Sequence, residues 1–395
     1  TNGQVLQIGQ TYTMSATPET GWLFADWSGG VSETSPALTF VMASNLVIIA
    51  TFVEAGTPEP FTPIAGVFHG LYLEENFTDV THAGFFTLTI GRDGRYGGTL
   101  HVAGKKHSAR GRFAADGKAT NSISTAAAGV LTVIWEADLD EPDIISGNVG
   151  DGAWVAPLYG DRDVFTSANP APQAGKYTLI IPGTAGATES PVGDGYATVT
   201  VAANGTIRLK GKLADGTALV QNVPISKNGD WSLYDSLCGG RGVLLGWLRF
   251  ADDGGNDLAG TLRWIKPAIA GGALYPAGFA VNSDAVGSHY LRPTGSDSVL
   301  QITDGLVILN GGNLPDSSNP ETFGPKSKLV NNGPNTLKLI FTPASGLFRG
   351  TFKEAGTTQT IPLRGAVLQK QNVGSGYGIG EDQSGWIFFQ TVPPP

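Results

Sequence analysis

Few side chains in this 395-residue sequence could do chemistry, and the histidines are the first group to consider. Four of the five histidines lie close together in sequence: His69, His82, His101 and His107. Imidazoles brought to one face of a sheet could bind a metal ion, but this spacing fits no standard ligand pattern. Solvated positions on strands are therefore the favoured interpretation, and no metal ligands are assigned.

Two acidic clusters in Gly-flanked turns form the second group. The clusters are Asp138, Asp140, Glu141 and Asp143, and Asp252, Asp253, Asn256 and Asp257. Converging oxygen ligands suit calcium, which makes it the one cofactor that the sequence leaves open. Asp, Asn and Gly are also the ordinary residues of turns between strands, and that interpretation is favoured.

Tryptophans near polar turns form the third group, since an indole can stack on a sugar ring. The candidates are Trp154, Trp231, Trp247 and Trp264. The same residue types also fill the cores and corners of β-barrels. A glycan is therefore a partner to test, with core packing as the favoured alternative.

The remaining motifs point away from catalysis. Cys238 is the only cysteine, so it cannot form an internal disulfide, and no histidine lies near it in sequence to activate the thiol. Segment 374–380 superficially resembles a dinucleotide loop but lacks a βαβ context, which indicates a Gly-rich strand. The sequence has no P-loop, no His-Glu-Xaa-Xaa-His and no Gly-Xaa-Ser-Xaa-Gly. We therefore expect no enzyme and assign no catalytic or cofactor-binding residues, although a catalytic domain outside this segment stays open.

Composition predicts an all-β protein. The chain has 56 Gly, 24 Pro and only 15% charged residues, and no long segment with helical apolar periodicity. The formal charge of −9 argues against a nucleic-acid or anionic-membrane partner. No apolar run is long enough to predict a membrane span.

Three copies of one pattern organise most of the chain: an alternating strand, an Xaa-Gly turn, a Gly-led strand and a second Xaa-Gly turn. They begin at Gly84, Gly195 and Leu337, with first turns at 93–94, 204–205 and 345–346. The alternation predicts antiparallel meanders with one buried face, and the turns favour two-residue hairpins with positive φ.

Glycines at the start of the middle strands predict curved sheets. Gly98, Gly211 and Gly350 would relieve crowding where the sheet bends. An aromatic strand accompanies each copy, but in the third it follows the meander, as in a circular permutation. We expect barrel-like units whose first and last strands pair. Two barrels and three barrels both fit the pattern.

The N-terminal segment carries a resemblance to a known family. Its signature is the run Gly21-Trp22-Leu23-Phe24-Ala25-Asp26-Trp27-Ser28-Gly29, preceded by 12–18 and followed by 38–52. In this order it resembles the divergent internalin-type B-repeat, a small β module of bacterial surface and secreted proteins. Residues 176–390 resemble an uncharacterised repeat region of large secreted or surface proteins of Verrucomicrobia and related bacteria. These resemblances imply an extracellular or cell-surface location and indicate nothing about a reaction.

The expected organisation is a small β-repeat domain followed by two, or three, antiparallel barrel-like units. We place the B-repeat-like domain at 1–55, a Pro-rich linker at 56–63 and β units at 64–170, 171–270 and 271–395. The third unit is either independent or closes a barrel with the second. Few residues precede 9–12, so the first strand looks shortened: either the segment is trimmed, or a neighbouring copy supplies a strand to an open edge.

The function predicted from the sequence is that of a non-catalytic structural or adhesive protein at the bacterial surface, such as a fibre, stalk, filament or surface-layer component. The alternative is a carbohydrate-binding module of a secreted multidomain protein.

Overall fold

A computed structural model describes residues 5–55 and 60–392, and its regular structure is almost entirely β-strand. A small N-terminal module precedes three eight-stranded antiparallel sheets, each nearly closed into a barrel. The all-β prediction is confirmed, with three barrels. The helical elements of the described residues are 3-10 turns at Thr62–Ile64, Val80–His82, Cys238–Gly240 and Pro325–Ser327.

The N-terminal module consists of two two-stranded sheets. Strand β1 pairs with β3, and β2 pairs with β4 across a bulge between Phe24 and Asp26. Trp27, Leu38 and Phe40 form its small buried core. The strands are β1 (Thr11–Ser15), β2 (Trp22–Gly29), β3 (Ala37–Val41) and β4 (Ile48–Glu54).

Barrel 1 follows in the sheet order β8-β7-β6-β5-β12-β11-β10-β9. Its interior is filled by large side chains, among them the fully buried Phe68, Phe86 and Trp135. Residues 56–59 of the predicted linker lie outside the described residues, but Phe61 already packs into this core. The strands are β5 (Gly66–Leu73), β6 (Ala83–Ile90), β7 (Arg95–Val102), β8 (Lys105–Arg112), β9 (Lys118–Thr125), β10 (Gly129–Ala137), β11 (Ile144–Gly150) and β12 (Val155–Arg162).

Barrel 2 repeats this arrangement in the order β16-β15-β14-β13-β20-β19-β18-β17. The predicted boundary at 270/271 is wrong for this sheet, because β20 completes it by pairing with both β19 and β13. The Gly- and Pro-rich segment 267–278 is a loop that connects β19 to β20 of this barrel, and not a linker between two barrels. The strands are β13 (Gly175–Ile181), β14 (Gly195–Val201), β15 (Thr206–Lys212), β16 (Ala218–Pro224), β17 (Asp230–Leu237), β18 (Gly242–Arg249), β19 (Leu258–Lys266) and β20 (Phe279–His289).

Barrel 3 is an independent sheet in the order β23-β22-β21-β28-β27-β26-β25-β24. It does not close a barrel with the second unit, because its own first and last strands pair. Its core includes Phe341, Phe348 and Phe389. The strands are β21 (Asp304–Asn310), β22 (Ser317–Gly324), β23 (Lys328–Asn331), β24 (Thr336–Thr342), β25 (Leu347–Lys353), β26 (Ile361–Leu368), β27 (Val373–Ile379) and β28 (Ser384–Thr391).

The predicted pairing of first and last strands is confirmed in all three barrels. It joins β5 to β12, β13 to β20 and β21 to β28. Each barrel is left with one seam, between β8 and β9, β16 and β17, or β23 and β24, where no ladder of backbone pairs is formed. The seam follows the fourth strand in barrels 1 and 2 but the third in barrel 3. The third meander occupies β24–β26 and starts at the seam, whereas the first two end there, so the copies are not related by circular permutation.

Side-chain amides bridge two of the seams. In barrel 1, Asn121 on β9 donates to the Arg110 carbonyl on β8 at 2.8 Å and accepts from Trp135 Nε1 at 2.9 Å. In barrel 2, Gln221 on β16 donates to the Ser232 carbonyl on β17 at 2.9 Å and accepts from Trp231 Nε1 at 2.8 Å. One amide thus replaces a missing backbone contact and satisfies a buried indole in both barrels.

The repeated glycines are confirmed as sites of close approach. A Cβ added to Gly98, Gly211 or Gly350 would lie about 2 Å from a carbonyl oxygen of the preceding strand. The predicted two-residue turns are wrong at 93–94 and 204–205. There only the glycine has positive φ, and three residues lie between the hydrogen-bonded partners Gly91 and Arg95, and between Ala202 and Thr206, as in a type I turn followed by a bulge.

Candidate functional site

The predicted histidine group does not converge. His69 Nδ1 lies 2.9 Å from Asp163 Oδ1, and His82 Nδ1 lies 2.6 Å from Glu74 Oε2. His107 is half-buried on β8. Across residues 5–55 and 60–392, no three His, Cys, Asp or Glu side chains are placed to hold a metal ion.

His101 has a packing position where barrel 1 meets barrel 2. Its ring makes edge contacts with Phe85 and with Tyr234 of barrel 2, at centroid distances of 5.4 and 5.8 Å. Burial, together with Lys106 and His107, lowers the pKa of His101 to about 4. A neutral imidazole therefore fills this contact at physiological pH, and the expectation of a solvated strand position is wrong for this residue.

The first acidic cluster contributes to the same contact, which we call the first junction, between barrels 1 and 2. Asp143 accepts from Arg162 of its own barrel at 2.6 Å and from Lys227 of barrel 2 at 3.0 Å. Although burial opposes it, hydrogen bonding from both cations lowers the pKa of Asp143. Asp138 accepts from the Asp140 backbone and forms an ordinary turn.

The second acidic cluster contributes to the second junction, between barrels 2 and 3. Lys370 of barrel 3 inserts its ammonium between Asp252 and Asp257 of barrel 2, with Nζ 3.0 Å from Asp257 Oδ1. Asp253 instead accepts from the backbone of Asn256 in its own turn. Lys370 therefore supplies a positive charge at this cluster, and calcium binding stays the alternative that the sequence leaves open.

A buried carboxylate without a cation lies at the first junction. Asp161 is 8% exposed, and its Oδ2 has no hydrogen-bond partner among the described residues. Its Oδ1 accepts a long hydrogen bond from Tyr159 at 3.4 Å. Burial, then repulsion from Asp230 and Asp143, raises the pKa of Asp161 to about 7.

At the second junction, Asp194 of barrel 2 is buried but well supplied with donors. It accepts from the Gly183 backbone at 2.9 Å, from the Ser375 hydroxyl and from Trp386 Nε1 at 2.8 Å. Burial raises the pKa of Asp194 despite these three hydrogen bonds. Nearby, Tyr275 receives a hydrogen bond from the Ser384 backbone N–H at 2.8 Å. Sequence reasoning missed these residues because nothing local marks them as partners.

The four predicted sugar-binding tryptophans separate into two classes. Trp231 and Trp264 are 0% and 4% exposed and belong to the packed core of barrel 2, so they are excluded as platforms. Trp154 is half-buried and stacks on His82 at 4.3 Å, which covers one face of its ring. Trp247 is half-buried beside a cleft of about 320 Å³ at the first junction.

The remaining predicted features are structural. Cys238 begins a 3-10 turn after β17 and has positive φ. Segment 374–380 falls largely within β27, as predicted. In the N-terminal module, Trp27 is buried and donates from Nε1 to the Ser35 carbonyl at 3.1 Å, whereas Trp22 is 44% exposed.

The fold and the junctions define a class: an all-β protein of consecutive packed barrels preceded by a small β module. Residues 1–56 match the family model of the divergent InlB B-repeat domain, which confirms the resemblance seen in the N-terminal sequence. No curated protein matches the chain. No helix of the described residues has the length and apolar character needed to cross a membrane.

Among solved structures, the chain is similar to transferrin binding protein B from serogroup B Neisseria meningitidis at 9% identity, with TM-score 0.21 and coverage of 96% of this chain and 88% of that one. The same protein from Haemophilus parasuis matches at 8% identity and TM-score 0.20, covering 98% and 86%. A DUF3598-family protein of unknown function from Nostoc punctiforme matches at 9% identity and TM-score 0.14, covering 85% and 98%. Such TM-scores are too low for the similarity to indicate function.

Proposed function

We propose that this protein is a non-catalytic structural or adhesive component of the bacterial surface, in which the barrels form a mechanically coupled spacer. The observation that carries the proposal is the construction of the two junctions. Each joins neighbouring barrels through apolar contacts and through ion pairs from an acidic turn of one barrel to a lysine of the next. Independent domains on flexible linkers would not need such contacts.

Apolar packing supports the same interpretation. Leu71 and Phe85 of barrel 1 belong to one continuous buried cluster with the core of barrel 2. At the second junction, Tyr196 of barrel 2 packs with Ala366 and Tyr377 of barrel 3. Because these apolar contacts are buried, relative motion of the barrels would expose apolar surface.

Surface location is supported by the family of residues 1–56, which the sequence resemblance associates with bacterial surface and secreted proteins. The test is protease treatment of intact cells of a bacterium that makes the protein, followed by immunoblotting. We expect the chain to be cleaved without cell lysis. Protection until lysis would contradict the proposal.

Self-association through the N-terminal module is part of the proposal. Among the described residues, β1 pairs only with β3, which leaves open strand edges beside exposed apolar side chains such as Val41, 58% exposed. Sedimentation velocity over a concentration series should show association, weakened in Val41→Lys because a charge beside the edge disfavours strand addition. A full-length chain that stays monomeric at every concentration would contradict this.

A further inference from the structure

The cleft at the first junction is formed by two parts of the chain with different character. Residues 73–77, the last residue of β5 in barrel 1 and the four that follow it, form one wall. The outer face of β18, β19 and β20 of barrel 2 forms the other, with Trp247, Thr261, Arg263 and Asn282. Its volume of about 320 Å³ lies at the small end of the range for ligand pockets.

Trp247 gives this cleft an aromatic plate with a free donor. The indole makes a T-shaped contact with Tyr159 of barrel 1, at a centroid distance of 5.6 Å and an interplanar angle of 74°. In the described part of the chain, Nε1 of Trp247 has no acceptor, whereas Trp135 and Trp231 both donate to seam amides. An oriented indole with an unused N–H can pack against an apolar ring face and donate to a polar group at its edge.

Polar groups beside Trp247 are fixed in position but have unused hydrogen-bonding capacity. Arg263 donates from Nε to the Phe77 carbonyl at 3.1 Å and from Nη1 to Asn282 Oδ1 at 3.2 Å. Both acceptors are neutral, and Arg263 has no ion pair among the described residues. The Nη2 group of Arg263 and the amide nitrogen of Asn282 thus remain as donors.

Acceptors complete the set. Thr261 donates its hydroxyl proton to Asp284 Oδ1 at 2.7 Å, which leaves the lone pairs of Thr261 and the second oxygen of Asp284 available. Glu75 at the rim of the cleft is exposed. Both donors and acceptors therefore lie in the neighbourhood of the indole.

We infer that this cleft binds a single pyranose unit of a glycan. A pyranose has an apolar C–H face that packs against an indole, and hydroxyls at its edge that both donate and accept hydrogen bonds. The planar groups of Arg263 and Asn282 can each contact two neighbouring hydroxyls. The carboxylates of Glu75 and Asp284 offset the positive charge of Arg263, so the site has no net positive charge to attract an anion and the sugar is a neutral one. This inference goes beyond the spacer role and does not depend on it.

The experiment measures binding of the full chain to soluble oligosaccharides of glucose, mannose, galactose and N-acetylglucosamine by saturation-transfer NMR and titration. We expect at least one to bind, with the affinity lowered about tenfold or more by Trp247→Ala and by Asn282→Ala. Trp22→Ala removes an exposed tryptophan far along the chain and should bind like the parent.

Asn282→Ala is the decisive variant, because its side chain is exposed and its hydrogen bond with Arg263 lies within barrel 2, whereas Trp247→Ala also removes the Tyr159 contact across the junction. Binding that is retained in Asn282→Ala, or lost equally in Trp22→Ala, would overturn the inference. Failure of all four sugar series to bind would also overturn the inference. It would not affect the proposed spacer role, because calorimetry tests the coupling of the barrels separately.

Discussion

Asp161 makes the first junction sensitive to pH. Burial, and after it repulsion from Asp230, raises the pKa of Asp161 to about 7 in the folded chain. The pKa of an aspartate in an unfolded chain is about 3.9. The folded state therefore binds more protons between these values. The free energy of unfolding should fall as pH rises through this window and level off above it.

Replacement of Asp161 by Asn should remove this dependence. We expect Asp161→Asn to be more stable than the parent at pH 8, by roughly 1 to 3 kcal/mol, and the difference to shrink towards pH 4. Urea denaturation across the pH range measures it. Asp140→Asn, which changes an exposed carboxylate of barrel 1, is the matched control and should leave the profile unchanged. Equal stability of the Asp161→Asn variant and the parent at pH 8 would contradict the assignment.

Glu321 is another buried carboxylate, inside barrel 3. Burial raises its pKa to about 7, opposed by a hydrogen bond of 2.7 Å from the Asn319 amide. Because that hydrogen bond stabilises the charged form, Asn319→Ala should raise the pKa of Glu321 further. Carboxyl ¹³C titration of the parent and the variant measures both values. A midpoint near that of an exposed glutamate in the parent would show that the carboxylate is solvated.

At the scale of the strands, the Gln221 side chain is one of the groups that bridge the seam of barrel 2. Gln221→Leu keeps the side-chain bulk but leaves the Trp231 indole and the Ser232 carbonyl without partners. Each buried orphan costs about 1 to 3 kcal/mol, so this variant should lose roughly 2 to 5 kcal/mol. Gln221→Glu at acidic pH, where the protonated carboxyl group can still accept from the indole and donate to the Ser232 carbonyl, should lose less. Denaturant midpoints that are equal for the two variants would show that the indole contact is not important to the seam.

Local sequence predicted the strands well because each strand carries its own signal. The alternation in Thr336–Thr342 places Leu337, Leu339 and Phe341 inwards, and the crowding at Gly350 follows from a close approach of neighbouring strands. The predicted domain boundary at 270/271 is wrong because the Gly- and Pro-rich loop between two strands of barrel 2 has the same composition as a linker between domains. Only long-range pairing, such as that of Tyr177 with His289, distinguishes the two.

The contacts at the two junctions could not be predicted either, because the residues that form them lie far apart in sequence. Asp194 and its partner Trp386 are separated by most of two barrels, and neither has unusual neighbours in sequence. The acidic residues of the two turns can be identified in the sequence, but their partner cations, Lys227 and Lys370, lie in other barrels. The sequence shows the negative charge of these turns, but only the packing of the barrels shows which lysines neutralise it.

For the whole molecule, the spacer proposal requires barrels 2 and 3 to unfold together. Asp194→Ala would leave three donors from two barrels without their common acceptor, which should weaken the second junction by several kcal/mol. We expect differential scanning calorimetry to show one transition for these two barrels in the parent and two in Asp194→Ala, since a weakened junction no longer couples the cores. Asp316→Ala, which removes an exposed carboxylate of barrel 3, should behave like the parent. Separate transitions in the parent would mean that barrels 2 and 3 unfold independently, which would contradict the spacer proposal. A single transition in Asp194→Ala at a lower temperature would show that the apolar contact of Tyr196 and Tyr377 suffices to couple the two barrels.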